Sequence, residues 1–430
     1  MSADNRPLVD DVRPREVFGW AMYDFANSGY TTVVITAIFN AYFVSVVAGN
    51  TLWATFAWTA ALAISYALIV ASAPVVGALA DLRGAKKKML AFSTVGCVVT
   101  TAALALVGPG EVALGMVLVA LSNFFFGTGE NLIAAFLPGL ARGEALGKVS
   151  GWGWSLGYLG GLLALGLSLA YVSHAQSAGE AASAFVPVTM LITAGLFAFA
   201  SMPTFALLKE RALPQMPGPG ALRGAYARVA RTARQASRFQ DLRRFLVCLV
   251  FYQAGVQAVI ALAAVYAEQA MGFSTRDSII LILAVNVSAA AGAFGFGYVQ
   301  DRLGHVRTIA VTLVLWILTV AIAALAQDRG TFWLAGNLAG VALGASQSAG
   351  RALVGFLSPA DRHAEFFGLW GLAVKLSAIL GPITYGAATW LSLGNHRLAI
   401  AVTGSYFVIG LALLAGIDVE RGRRAALAPP

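Results

Sequence analysis

The sequence predicts an all-α membrane protein, with twelve transmembrane helices in two pseudo-symmetric six-helix bundles. Three observations predict it: the composition, the placement of basic charge, and one loop written twice. Of 430 residues, 59% are hydrophobic and 11% are charged, against about 25% charged in soluble domains. Mean hydropathy is +0.76. Such a chain cannot clothe a water-facing surface, so lipid must solvate much of it.

A spanning helix needs about 20 mostly apolar residues. The apolar segments run 18–47, 52–80, 89–107, 111–140, 149–173, 184–208, 245–270, 278–300, 308–327, 331–357, 365–391 and 397–417. The expected organisation is a tail at 1–17, a bundle at 18–208, a basic linker at 209–244, a second bundle at 245–417 and a tail at 418–430.

Basic residues collect on alternate connections. Arg83, Lys86, Lys87, Lys88, Arg142, Lys148, the run from Lys209 to Arg244, Arg302, Arg307, Arg362 and both tails lie on one side. The other side has only Arg276, Arg329 and Arg397. Lys and Arg stay on the cytoplasmic side of a membrane. Both termini are therefore expected to be cytoplasmic, in a bacterial inner (plasma) membrane. The net charge of +9 is then topological, and a nucleic-acid partner is not expected.

The duplicated loop follows the second and eighth segments. One copy reads Gly77-Ala-Leu-Ala-Asp81-Leu-Arg83-Gly84-Ala-Lys86, the other Gly297-Tyr-Val-Gln-Asp301-Arg302-Leu-Gly304-His-Val-Arg307. A second match links Phe136-Leu-Pro138, Arg142 and Glu144 to Phe356-Leu-Ser-Pro359, Arg362 and Glu365. Two like halves related by an axis along the membrane normal are a frequent plan of solute transporters. Plain topological charge accounts for Lys86–Lys88 but not for a repeated acid and glycine. Asp81, Arg83, Asp301 and Arg302 are thus expected to form a cytoplasmic latch that braces one conformation.

The linker opens on a turn with Pro214, Pro217 and Pro219 and continues with Arg223, Arg228, Arg231, Arg234 and Arg238. That spacing predicts a basic amphipathic helix on an anionic leaflet, or a solvated linker. Cys97 and Cys248 lie in opposite halves, and the four histidines flank polar breaks. The sequence shows no disulfide framework, metal spacing, nucleotide-binding loop or Ser/His/Asp set, and no removable signal peptide is expected at the polar N-terminus. No enzyme activity, cofactor or metal is expected, and a monomer is.

Three stretches carry a resemblance. They are Trp20-Ala-Met-Tyr23-Asp24-Phe-Ala-Asn27-Ser28, then Gly151-Trp-Gly-Trp154-Ser-Leu-Gly-Tyr158-Leu-Gly-Gly161, and Ala364-Glu-Phe-Phe-Gly368 leading to Lys375 and Gly381-Pro382. Together with the duplicated loop, they resemble the major facilitator superfamily and, within it, the autophagy-related vacuolar amino-acid effluxers and their bacterial relatives. In the first loop Arg83 stands two positions after Asp81, where the second copy has Arg302 directly after Asp301. The resemblance implies alternating access by rocking of the two halves, with amino-acid efflux as its borrowed function. It also implies that the first, fourth, seventh and tenth helices line a central cavity.

Ionisable groups inside spanning helices mark pathways or buried partners. Asp24 and Glu130 lie in the first half, Arg351 and Lys375 in the second. Helical spacing sets Asp24, Asn27, Ser28 and Thr31 on one stripe, Asn123 with Glu130 on another, and Gln347 with Arg351 on a third. Tyr252 and Gln253 begin a face that Gln257 extends, and Tyr23, Trp154 and Tyr158 could wall the site. One reading is a zwitterion site: Arg351 or Lys375 takes a carboxylate, and Asp24 or Glu130 faces an ammonium or carries a coupling proton. The other is that acids and bases pair across the halves and hold one conformation shut. The expected function is secondary transport of a small zwitterion, an amino acid or related amine. Transport of larger amphiphiles or cell-wall fragments is the alternative, and a non-transporting receptor or lipid-handling protein the alternative of another class.

Overall fold

The computed structural model describes residues 7–49, 51–215, 220–234, 238–273 and 275–428. Arg6, Pro217 and Pro219 lie outside them. Among the described residues there are twelve long helices: α1 (Pro14–Val47), α2 (Ala54–Arg83), α3 (Lys86–Ala103), α4 (Val112–Ala134), α5 (Leu146–Ser177), α6 (Ala182–Leu207), α7 (Gln240–Met271), α8 (Thr275–Leu303), α9 (His305–Leu325), α10 (Arg329–Leu357), α11 (His363–Leu391) and α12 (His396–Leu414). Among the described residues, eleven helices are apolar and long enough to cross a membrane. Only α10 falls short, because it carries Asn337, Gln347 and Arg351 among serines and glycines.

The neighbour pattern repeats between the halves. In the first half α1 packs on α5 and α6, α4 on α2 and α3, and α3 on α6. In the second, α7 packs on α11 and α12, α10 on α8 and α9, and α9 on α12. The halves meet reciprocally, α2 against α11 and α5 against α8. The lipid-facing flanks carry exposed Phe92, Phe199 and Trp390, tolerable only where the solvent is hydrocarbon.

Two features differ from the sequence expectation. The helix expected at 18–47 starts at Pro14 and is interrupted by π-helical stretches at Thr31–Ala37 and Phe43–Val47. The Ile38 and Ala48 amides there bond the carbonyls of Val33 and Phe43, each inserting an extra residue per turn. The linker helix (Ala221–Arg234) also does more than lie on a surface. Ala225 is buried against Ala78 and Leu82 of α2, and Arg228 is turned into the protein. Its remaining basic residues leave the leaflet contact an expectation, and the Arg234 side chain lies outside the described residues.

Both described termini, the linker helix and the basic loops share one end of the bundle, here called the basic end. Leu8 bridges to Ala141, and Arg423 of the terminal helix (Val419–Leu427) donates to the Phe356 carbonyl at the end of α10.

Candidate functional site

The halves are drawn together at the basic end by bare backbone. A methyl group on Gly77 of α2 would strike the Ala364 carbonyl of α11, and one on Gly368 of α11 the Ala73 carbonyl of α2. The pattern recurs where α5 meets α8: Gly151 lies against the Ala293 carbonyl and Gly297 against that of Gly147. Small residues permit such approach between membrane helices.

The duplicated loop acids sit on these seams. Asp81 accepts from the Glu365 amide (3.0 Å) in the first turn of α11, and Asp301 from the Lys148 amide (3.2 Å) in the first turn of α5. Each acid thus supplies negative charge to a helix N-terminus in the opposite half. Their cations are Lys86 and Lys148, each at 3.7 Å. Arg83 and Arg302 are exposed and form no ion pair among the described residues. The repeated glycines also have a reason. Gly84 has φ +58° and Gly304 φ +84°, and the latter, at ψ 163°, lies in a region open essentially to glycine alone.

Arg228 of the linker helix reinforces this end. It donates to Glu365 (3.2 Å), to the Asp361 carbonyl (2.7 Å) and carboxylate (3.1 Å), and to Gln215 (2.8 Å). Further out, Arg211 bonds Asp11 at 2.7 Å, and that hydrogen bond holds the Asp11 carboxyl below its ordinary pKa.

The four intramembrane charges form two pairs, each spanning the halves. Arg351 donates to Asp24 at 2.6 Å. Its other nitrogens bond the Ser150 hydroxyl (3.1 Å) and carbonyl (2.8 Å), and its plane lies near the rings of Trp20 and Trp154. Ser150 in turn donates to the Ser348 carbonyl of α10. Gly153 makes room: a Cβ there would lie 2.5 Å from Asp24 Oδ2 and 2.7 Å from Arg351 Nη2. The second pair is looser, with Lys375 at 3.5 Å from Glu130 and near the rings of Tyr66 and Phe126.

Around these pairs Gln253 of α7 donates to Gln347 of α10 at 2.7 Å. Among the described residues, Gln253 Oε1, the Tyr252 hydroxyl and Trp154 Nε1 are buried without a hydrogen-bond partner. Trp154 lies beside Tyr158, Asn27 is buried, and Gln257 is half-buried. Tyr23 and Asn123 face the interior of the first half instead. Tyr23 bonds Thr94 and packs on Gly129, and Asn123 donates to Ser65. Sequence reasoning passed over Ser150 and Trp20 as site residues. Their signal was slight: a serine opening a glycine-rich helix, and a tryptophan one turn before Asp24.

A family model described as vacuole effluxer Atg22-like matches residues 53–427. The chain belongs to that family. The uncharacterized MFS-type transporter YxiO of Bacillus subtilis is 26% identical over 407 residues, 93% of this chain and 94% of that one. Autophagy-related protein 22-1 of Aspergillus niger is 24% identical over 303 residues, 65% of this chain, which spans 48% of the fungal protein. Among solved structures, the human organic anion transporter MFSD10 aligns with TM-score 0.71 at 16% identity, covering 94% of this chain and 100% of that one. The proton:xylose symporter XylE aligns at 0.70 with 13% identity, covering 93% and 94%. A bacterial ferroportin homologue in the outward-facing state aligns at 0.68 with 14% identity, covering 93% and 98%. The fold is that of the major facilitator superfamily, and the chain is an MFS-type membrane transporter, not an enzyme.

Proposed function

We propose that this transporter moves a small zwitterion, an amino acid or related amine, by trading the substrate's charges against its own ion pairs. The observation that carries the reading is the segregation of charge: acids Asp24 and Glu130 on one half, bases Arg351 and Lys375 on the other, paired across the seam. A substrate carboxylate would take Asp24's place on Arg351 through charge-assisted bonds. Its ammonium would take Lys375's place on Glu130. Released from their partners, the halves can rock apart. The unpartnered Gln253 oxygen, Tyr252 hydroxyl and Trp154 ring nitrogen offer further contacts to a polar solute. Fixed charges at this density favour such a solute over a large amphiphile.

Coupling to a proton fits the looser pair. Glu130 is held at 3.5 Å by one flexible lysine, and its side chain is 24% exposed, against 10% for Asp24. The basic end is taken as cytoplasmic on the charge rule. The state described is then closed to the cytoplasm, with Asp81 and Asp301 capping across the seam as the latch.

The test is a thermal-shift screen of purified protein against amino acids, amines, sugars, nucleosides and muropeptides at two pH values. A ligand that binds only the native state raises apparent stability. Zwitterions should stabilise the protein, and Arg351→Ala should remove the effect. In vesicles, Glu130→Gln should abolish proton-driven flux and preserve exchange. Stabilisation confined to large amphiphiles and indifferent to Arg351 would sink the zwitterion reading. Unchanged proton-driven uptake in Glu130→Gln would remove Glu130 as the carrier.

A further inference from the structure

A groove opens at the basic end on the outer flank of the first half, away from both ion pairs. Helices α2 and α3 each pack on α4 but scarcely on one another. The gap between them is a cavity of about 470 Å³, within the range of small-molecule sites. Its floor is Phe124, Phe125 and Thr128 of α4, and its walls include Val76, Met89 and Phe92. Phe92 is 70% exposed, as suits a side chain that meets lipid.

The mouth is electropositive. Arg83 and Lys88 line it, and none of the lining residues is acidic. Both side chains are exposed and free of ion pairs among the described residues. Their neighbours are committed elsewhere: Lys86 to Asp81, and Lys87 to the Leu208 carbonyl and, through its amide, Glu210. The hydroxyls in the lining are satisfied too. Ser93 donates to Met89 and Thr128 to Phe124, each within its own helix. Arg83 and Lys88 are therefore the donors left for a ligand. They flank the turn joining two spanning helices, the level of a polar headgroup. Phe92 lies one helical turn deeper than Lys88 on the same face of α3.

We infer that this groove binds an anionic glycerophospholipid, its phosphate between Arg83 and Lys88 and an acyl chain along Phe92 and Phe125. The charge of the mouth, the apolar walls and the depth of each select the same molecule. The assignment also gives Arg83 a role that the seam, where Lys86 serves Asp81, does not. It is independent of the solute transported.

The experiment titrates the purified full chain, in neutral detergent, with dioctanoyl phosphatidylglycerol, dioctanoyl phosphatidylcholine and glycerol 3-phosphate, reading the thermal midpoint. Phosphatidylglycerol should stabilise and the other two should not. Arg83→Gln/Lys88→Gln should weaken the apparent affinity roughly 30-fold, about fivefold for each basic side chain at an anionic surface. Arg83→Lys/Lys88→Arg should retain it. An unchanged response in the Gln variant overturns the site, as does equal stabilisation by phosphatidylcholine or by glycerol 3-phosphate. A second measurement needs no variant: diazirine-bearing phosphatidylglycerol, cross-linked to the wild type, should label peptides covering 87–93 or 124–128. Labelling confined to other segments overturns the inference.

Discussion

Asp24→Asn should unlock the basic end. The substitution keeps the shape of the side chain and removes its charge. It leaves the Arg351 guanidinium 3% exposed, with the Ser150 hydroxyl and carbonyl and two indole rings but no counter-charge. Removing one partner of a buried pair costs about 3–5 kcal/mol. Because Asp24 and Arg351 belong to opposite halves, the loss falls on the state in which the halves meet. At about 1.36 kcal/mol per tenfold, the closed state should lose roughly 150- to 5,000-fold in relative population. The assay is maleimide labelling of a cysteine at Ala364, which is 2% exposed and seated against Gly77, with Cys97 and Cys248 replaced by Ala. Asp24→Asn should raise the labelling rate at least about a hundredfold. Asp24→Asn/Arg351→Gln, which removes both charges, should recover much of the protection. Labelling at the parent rate in Asp24→Asn would refute the argument that this pair holds the seam.

The same reporter ranks the bare-backbone contacts. Gly77→Ala should expose Ala364→Cys more than Gly297→Ala does, because the Gly77 methyl meets the Ala364 carbonyl more closely than the Gly297 methyl meets that of Gly147; the reverse order would contradict the geometry. Arg228→Ala should leave Glu365, fully buried, without its guanidinium, costing about 3 kcal/mol or more; a fall in thermal midpoint together with faster proteolysis in the linker checks this, and an unchanged protein refutes it. The N-terminal tail should stay docked in mild acid. Since Arg211 lowers the Asp11 pKa in the folded state, that contact stabilises above the unfolded-state pKa and is lost only as pH falls through the folded value. Hydrogen exchange over residues 8–12 should therefore accelerate only below the ordinary carboxylate range, and acceleration near pH 6 would contradict the pairing.

Much of the architecture was legible because lipid imposes a simple code. Length and apolarity mark a spanning helix, and alternation of Lys and Arg marks the side of each connection. The duplicated Gly-x-x-x-Asp loop exposed the internal symmetry, since both halves solve the same problem of close approach followed by capping. The π-helical stretches in α1 left no such trace. Thr31–Ala37 and Phe43–Val47 are apolar stretches within one long apolar segment; their β-branched residues weaken helix propensity but do not specify an extra residue per turn. Arg228 escaped for a related reason. A basic amphipathic helix offers its charge to a membrane and to buried acids in the same alphabet.

Sequence by itself determined the solvent, the number of spanning helices, the twofold plan and the four residues whose charge had to be accounted for inside the membrane. Only the tertiary structure decided how those charges combine. That Asp24 meets Arg351, and Glu130 meets Lys375, depends on the rotation and approach of helices hundreds of residues apart, set by Gly153, Gly127 and Ser150 at their crossings. It likewise decided that Lys86 and Lys148 serve the loop acids, while Arg83 faces outward. Local pattern reports which face of a helix is polar. Which partner that face finds is a property of packing between helices, and helical periodicity carries no record of it.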